Sequence, residues 1–230
     1  MQRKLDNYSL LAKYYDELLI DPEQYALWLP YIEEGKPQTI LELASGSGNL
    51  AKLLSEKGYE VTASDLSVHM QEIARENGFT GEYLKLDMSN FKLDRKYDCI
   101  LSTLDSINYL EEEELDPFFK SCFAHLKENG RLIFDVHDPR RIKDFEEEYI
   151  EEGILSDQTG YQWTILSDPY ESTLMENFVF FTEEGTIIEH HQQTVYEPEL
   201  LQQKMEAAGF KVRVIKDFIP EEKILLIGGH

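Results

Sequence analysis

The chain is short of cysteine, of positive charge and of long apolar runs. Its two cysteines, Cys99 and Cys122, stand among apolar residues. That excludes a disulfide scaffold and a four-cysteine metal site, and it suits a reducing compartment, so the expected location is the cytoplasm. Lysine and arginine number 22 against 45 aspartates and glutamates, a net charge of −23. A surface of that sign repels phosphate backbones, which makes nucleic acid a disfavoured partner. The densest basic cluster, Arg140, Arg141 and Lys143, is followed at once by Glu146, Glu147 and Glu148. No stretch approaches the roughly 18 consecutive apolar residues of a membrane span. Residues 1–10 are polar and carry no apolar core of a secretory signal, so no membrane partner is expected.

What is present fits one folded domain. Of 230 residues, 42% are apolar and 29% charged, enough for a single substantial core spanning 1–230. Leu10, Leu11, Tyr14, Tyr15, Leu18 and Leu19 recur at helical spacing and predict an N-terminal helical segment over 1–36, broken at Pro22. Short apolar runs then alternate with helical patterns. Strands are predicted at 39–43, 60–63, 82–86, 97–102 and 131–136, with helices at 49–57, 67–76 and 112–127 between them. This alternation predicts an α/β fold with a doubly wound, mostly parallel sheet. From residue 161 the period switches to two. Runs at 161–166, 174–181 and 186–195 predict an antiparallel β-meander of three strands, a cap inserted over 155–196. A helix at 198–208 and strands at 211–218 and 223–227 complete a seven-stranded sheet.

The chemistry concentrates in Ile40-Leu41-Glu42-Leu43-Ala44-Ser45-Gly46-Ser47-Gly48-Asn49-Leu50. A buried strand runs through a turn of small residues into a helix. Glycines there let a ligand approach the backbone, and the helix start offers free N–H groups. Asp65, about 20 residues further on at the next strand tip, is placed to accept both hydroxyls of a ribose. An adenosine-containing cofactor follows. Gly46, Gly48 and Ala51 satisfy G-x-G-x-x-G/A, which keeps NAD or FAD, and an NAD-dependent oxidoreductase, open. Glu42 points elsewhere, because a carboxylate near a pyrophosphate is unfavourable whereas one near a sulfonium amino acid is not.

Glu42-x-Ala44-x-Gly46-x-Gly48, Asp65-x-Ser67-x-x-Met70 and Asp87-Met88 resemble the nucleotide-binding segments of class I S-adenosylmethionine-dependent methyltransferases. Leu11-Ala12-x-x-Tyr15-Asp16, Leu104-Asp105-Ser106-Ile107-Asn108-Tyr109 and Phe134-Asp135-Val136-His137 extend the resemblance to a small bacterial branch with a β-stranded cap, similar in layout to glycine and sarcosine N-methyltransferases. Ser45-Gly46-Ser47-Gly48 departs from the commoner Cys-Gly-Thr-Gly or Gly-Gly-Thr-Gly, with the small-residue character kept. The resemblance implies a Rossmann-like methyltransferase fold and S-adenosylmethionine as cofactor. It places Asp65 on the ribose, Leu66 and Met70 on the adenine faces, and Asp87 with the Met88 backbone on the adenine edge. Ala44, Ser45, Gly46 and Gly48 would line the methionine part, with Glu42 beneath the loop and Tyr15 reaching the methionine carboxylate. Ser102 would end the strand where acceptor meets methyl.

The implied reaction is in-line methyl transfer to nitrogen or oxygen of a small-molecule acceptor, with the protein supplying alignment and exclusion of water. If the acceptor must lose a proton, His137 and Tyr8 are the candidate bases. His137 also fits a structural role, as do Met70 and Tyr14. Asp135, His137 and Asp138 lack a second histidine-rich element, so no metal is expected. His190 and His191, adjacent on a predicted strand, face opposite ways. Tyr161, Trp163, Phe178, Phe180 and Phe181 read first as the meander's own core. The remaining alternative is a non-catalytic cofactor-binding scaffold, with a homodimer formed through the cap.

Overall fold

The structure, a computed structural model, describes residues 10–230. Helix α1 (Leu11–Leu19) leads into a 3₁₀ turn (Pro22–Leu27) and α2 (Leu29–Glu34). Then come β1 (Thr39–Leu43), α3 (Asn49–Glu56), β2 (Glu60–Asp65), α4 (Val68–Glu76), β3 (Glu82–Lys85) and β4 (Tyr97–Ser102). A second 3₁₀ turn (Ser106–Tyr109) precedes α5 (Glu112–His125) and β5 (Leu126–His137), and α6 (Arg141–Asp144) follows. Next are β6 (Tyr149–Ile154), β7 (Gly160–Asp168), β8 (Thr173–Thr182) and β9 (Gly185–Thr194), and the chain closes with α7 (Pro198–Ala208), β10 (Lys211–Ile219) and β11 (Lys223–Gly229).

The main sheet has seven strands in the order β10-β11-β5-β4-β1-β2-β3. Strands β1 to β5 run parallel, and β11 runs antiparallel to both β5 and β10. The apolar runs exist because helices cover both faces and successive side chains alternate between them. Leu41, Leu43, Ile100 and Phe134 pack with Phe118 and Phe119 of α5 and with Leu201 and Met205 of α7. Ile40, Cys99, Leu101 and Ile133 pack on the other side with Trp28, Ile32, Leu50 and Leu54. The chain winds one way from β1 to β2 and the other way to β4, so a crevice opens between the carboxyl ends of β1 and β4, the usual ligand position in such sheets.

Among the described residues, strands β6 to β9 pair only with one another, in a separate four-stranded antiparallel sheet. The sequence predicts three of these. The unpredicted edge strand, β6, carries Glu151, Glu152 and Gly153, residues that weaken a strand signal, and it is held by its register against β7 from Tyr149↔Ile165 to Ile154↔Gly160. Phe178 and Phe180 on β8 pack with Leu11 and Tyr14 of α1 and with Leu155. Helix α1 is thereby fixed over the crevice, with the antiparallel sheet beyond it. No helix among the described residues is long and apolar enough to cross a membrane.

Candidate functional site

The turn after β1 is left-handed at Ala44, Gly46 and Gly48 (φ 51°, 52° and 73°). A Cβ at Gly48 would lie 2.7 Å from Cβ of Ala74, so its absence lets α4 close onto the loop. At Gly46 the nearest neighbour of such a carbon is the Tyr15 ring at 3.6 Å. Asp65, at the tip of β2, accepts the Gly46 N–H at 3.0 Å and the Ser67 N–H at 2.9 Å. The Tyr83 hydroxyl donates to the Gly46 carbonyl at 2.7 Å. Asp16 of α1 accepts from the Ser47 hydroxyl and from Asn49 and Asn77 side-chain amides at 2.9 and 2.7 Å. Helix, glycine turn and α4 are thus tied at one carboxylate.

A cavity of about 780 Å³ opens here and continues beneath the antiparallel sheet. Tyr15, Ala44, Gly46, Asp65, Leu66, Met70, Asp87 and Met88 line one half. Asp105, His137, Arg141, Glu176, Gln193 and Lys223 line the other. Four of the sequence-predicted residues lie behind the wall: Glu42, Ser45, Gly48 and Ser102 do not line the cavity. Ser102 backs it indirectly, its hydroxyl 4.0 Å from the Met88 sulfur. Glu42 is 2% exposed, and its Oε2 has no hydrogen-bond partner among the described residues. Burial, helped by the nearby Asp65 charge, pushes its carboxyl up to about 8, so Glu42 is largely neutral at pH 7 in the ligand-free chain. Tyr8 lies outside the described residues.

The second half was only partly visible in sequence. Leu104 and Asp105 are consecutive left-handed residues without being glycine (φ 57° and 59°), a conformation that persists only when its surroundings hold it. Asp135 does so. Its carboxylate accepts the Leu104 N–H at 2.9 Å, the Asp105 N–H at 3.1 Å and the Trp28 indole N–H at 3.2 Å. Lys223 Nζ lies 2.7 Å from Asp105 and 3.4 Å from Asp135. No local pattern marks Lys223. It enters because β11 pairs with β5 so that Lys223 sits opposite His137.

Electrostatics follow from burial in this chamber. Burial drives Asp135 up to about 6, and the Asp105 charge adds to this while Lys223 opposes it. Burial works against the Asp105 charge too, but His137 and Lys223 hold that carboxyl below its ordinary value. Burial lowers the His137 imidazole, with Asp105 pulling the other way. Glu176, which accepts the Trp163 indole N–H at 3.1 Å, is pushed up to about 7 by burial. His191 faces inward while His190 is exposed, and burial takes His191 down to about 4.

Known proteins share this fold. Residues 40–130, from β1 into β5, match a methyltransferase-domain family. "Putative methyltransferase YqeM" of Bacillus subtilis (strain 168) is 31% identical over 230 aligned residues, covering 94% of this chain and 91% of that protein. The chain belongs to the class I S-adenosylmethionine-dependent methyltransferases. Among solved structures, an S-adenosylmethionine-dependent methyltransferase from Clostridium acetobutylicum ATCC 824 superposes with a TM-score of 0.80 at 24% identity, covering 96% of this chain and 98% of that one. The sugar N-methyltransferase KedS8 from Streptoalloteichus sp ATCC 53650 gives 0.82 at 18% identity, covering 96% of this chain and 93% of that one. The methyltransferase uses S-adenosylmethionine as cofactor, and the NAD-dependent and non-catalytic readings fall with that membership.

Proposed function

We propose that this methyltransferase transfers the methyl group of S-adenosylmethionine to nitrogen or oxygen of a small molecule enclosed beneath the antiparallel sheet. One observation carries the reading: the glycine turn and the Asp105 chamber are two halves of one continuous cavity of about 780 Å³, a volume within the roughly 300–1,000 Å³ typical of small-ligand sites. The residues present fit the cofactor. Asp65 offers its carboxylate at a strand tip to the ribose hydroxyls. Leu66 and Met70 supply apolar surface for adenine, with Asp87 and the Met88 backbone at its edge. The turn at Ala44, Ser45, Gly46 and Gly48 leaves room for the methionine chain. Glu42, buried beneath that turn with its Oε2 lacking a partner among the described residues, supports the loop from behind the cavity wall, and Tyr15 borders the same loop from α1.

Bound there, the cofactor supplies a methyl carbon already activated by a sulfonium. The chain's own task is then to orient the acceptor and exclude water. His137, on the chamber wall, is the group placed to take a proton from the acceptor. KedS8 is a methyltransferase of sugar nitrogen, and an acceptor of that small polar kind suits a chamber lined by acids and an imidazole. Calorimetry with S-adenosylhomocysteine tests the reading. Binding in the wild type, weakened about tenfold to a hundredfold by Asp65→Ala, is the expected outcome, since hydrogen bonds to a charged group are worth about 1.5–3 kcal/mol. Absence of binding at millimolar ligand defeats it.

A further inference from the structure

The acceptor half of the cavity holds two proton-accepting atoms that face each other. Oδ1 of Asp105 lies 3.7 Å from Nδ1 of His137, and this oxygen is buried with no hydrogen-bond partner among the described residues. The imidazole tautomer is set from the far side of the ring. Gln193 donates through its Nε2 to the Asp105 carbonyl at 3.4 Å, which directs its Oε1 to His137 Nε2 at 2.8 Å. An amide oxygen only accepts, so this assignment puts the proton of His137 on Nε2 and leaves a bare lone pair at Nδ1. The carboxylate is held from turning away, because Lys223 Nζ grips its Oδ2 at 2.7 Å and Asp135 pins the left-handed backbone beneath it. A hydroxyl brings one proton and satisfies one of the two acceptors. An ammonium brings two or more, and a nitrogen about 2.9 Å from each atom satisfies both.

We propose that Asp105 and His137 form a pair that binds a primary or secondary amine, cationic in water, and deprotonates it for methylation. This rests on the methyl-transfer reading of the same cavity. The ammonium passes one proton to His137 Nδ1, leaving a neutral amine and an imidazolium. A remaining N–H stays on Asp105 Oδ1 and holds the nitrogen in place. The nitrogen lone pair forms the new bond to the methyl carbon as the carbon–sulfur bond breaks, and that bond's electron pair stays on sulfur. The products are a methylated ammonium and neutral S-adenosylhomocysteine, and His137 afterwards returns its extra proton to water. Asp105 stabilises the imidazolium while it lasts. The charged groups facing His137 are Asp105 after β4, Arg141 on α6 and Lys223 on β11, with Glu176 on β8 facing Asp105, Arg141 and Lys223 in turn. Burial first, then the Lys223 and Arg141 charges, favours the neutral resting ring, and Asp105 works the other way and makes its protonation attainable.

Nitrogen NMR of the labelled imidazole, on the full chain saturated with S-adenosylhomocysteine, reads the tautomer directly in the wild type. A neutral ring protonated on Nε2 is expected, and Asp105→Asn is expected to lower its titration midpoint. In parallel, methyl-labelled S-adenosylmethionine is supplied with a panel of primary and secondary amines, each matched to an alcohol of the same carbon skeleton. Label enters amines, and Asp105→Asn lowers kcat by about a hundredfold or more with little change in the KM for S-adenosylmethionine. A ring protonated on Nδ1, an unmoved midpoint in the variant, or label in alcohols alone or in no amine overturns the proposal. Each of those results with S-adenosylhomocysteine still bound leaves the cofactor assignment standing, whereas loss of that binding overturns both.

Discussion

The Glu189 carboxylate on β9 accepts the backbone N–H of Leu11 at 3.0 Å, and of Leu10 at 2.6 Å, at the first turn of α1. A side chain of the antiparallel sheet therefore caps the helix that covers the glycine turn, and Asp16 at the far side of the same helix holds that turn. The two halves of the cavity share one wall.

Glu189→Ala removes this cap. Loss of an N-cap acceptor costs about 0.5–2 kcal/mol, and the negative charge also favours the helix start. A melting temperature lower by several degrees is expected, with weaker S-adenosylhomocysteine binding although Glu189 lies outside the adenosyl half. Glu189→Gln keeps an acceptor and should lose less of both. Thermal denaturation with and without the ligand measures it, and unchanged binding in a destabilised Ala variant would detach α1 from the cofactor.

Two glycines separate backbone strain from crowding. Gly48→Ala meets Ala74 at 2.7 Å in a left-handed turn, whereas a Cβ at Gly58 meets nothing within 4 Å. Both carry the roughly 1–2 kcal/mol of a left-handed alanine, and only Gly48→Ala adds overpacking of about 1–3 kcal/mol. Urea unfolding should rank Gly48→Ala clearly below Gly58→Ala, and S-adenosylhomocysteine affinity should fall only in the former.

Glu42 gives a pH signature with a definite sign. Its carboxyl titrates near 4.5 when unfolded and about 8 when folded. Between those values the folded chain keeps a proton that the unfolded chain has released, so this group's stabilising contribution is full below about 4.5 and is lost as pH rises through about 8. Glu42→Gln abolishes the slope. Melting curves of the ligand-free proteins should coincide near pH 4 and separate by several degrees above pH 8 (roughly, from the per-unit linkage energy), with the variant the more stable.

Lys223→Met leaves Asp105 and Asp135 facing each other without their cation. Removing one partner of a buried charge network costs about 3–5 kcal/mol. The deficit should grow with pH, because the carboxylates that Lys223 offsets are then ionised. Urea unfolding at pH 5 and pH 8 tests this (roughly, either side of the Asp135 value of about 6), and an equal deficit at both values would deny the coupling.

The adenosyl half was legible because its residues follow one another along the chain. A strand, a small-residue turn, a helix and the next strand tip point to Gly46 and Asp65 by local spacing, whereas Leu66, Met70 and Asp87 enter through the resemblance to the family. The Asp105 chamber was legible only in part: the segments 104–109 and 134–137 stand out by resemblance, but His137 alone among them carries a predicted chemical role. Asp135, Glu176, Gln193 and Lys223 arrive from four strands, and only the antiparallel register of β11 on β5 brings Lys223 to His137. Burial is what local sequence does not carry: Glu42 reads as a carboxylate along the chain, and its enclosure in the fold favours the neutral acid. The edge strand β6 escaped because its glutamates and glycine hide its period, and pairing with β7 supplies what its own residues do not.

The chain has only two tryptophans, and each donates its indole N–H to an acid at or behind the chamber wall, Trp28 to Asp135 at 3.2 Å and Trp163 to Glu176 at 3.1 Å. Trp28 is fully buried behind the left-handed turn, and Trp163 stacks on Phe178 with ring centroids 5.5 Å apart. Tryptophan emission, excited on the red edge where the 13 tyrosines do not absorb, thus arises wholly from residues bonded to acids at or behind the wall of the acceptor compartment. Occupancy or ionisation there becomes an optical signal from the unlabelled enzyme, and a single Trp→Phe exchange at either position assigns it to one side.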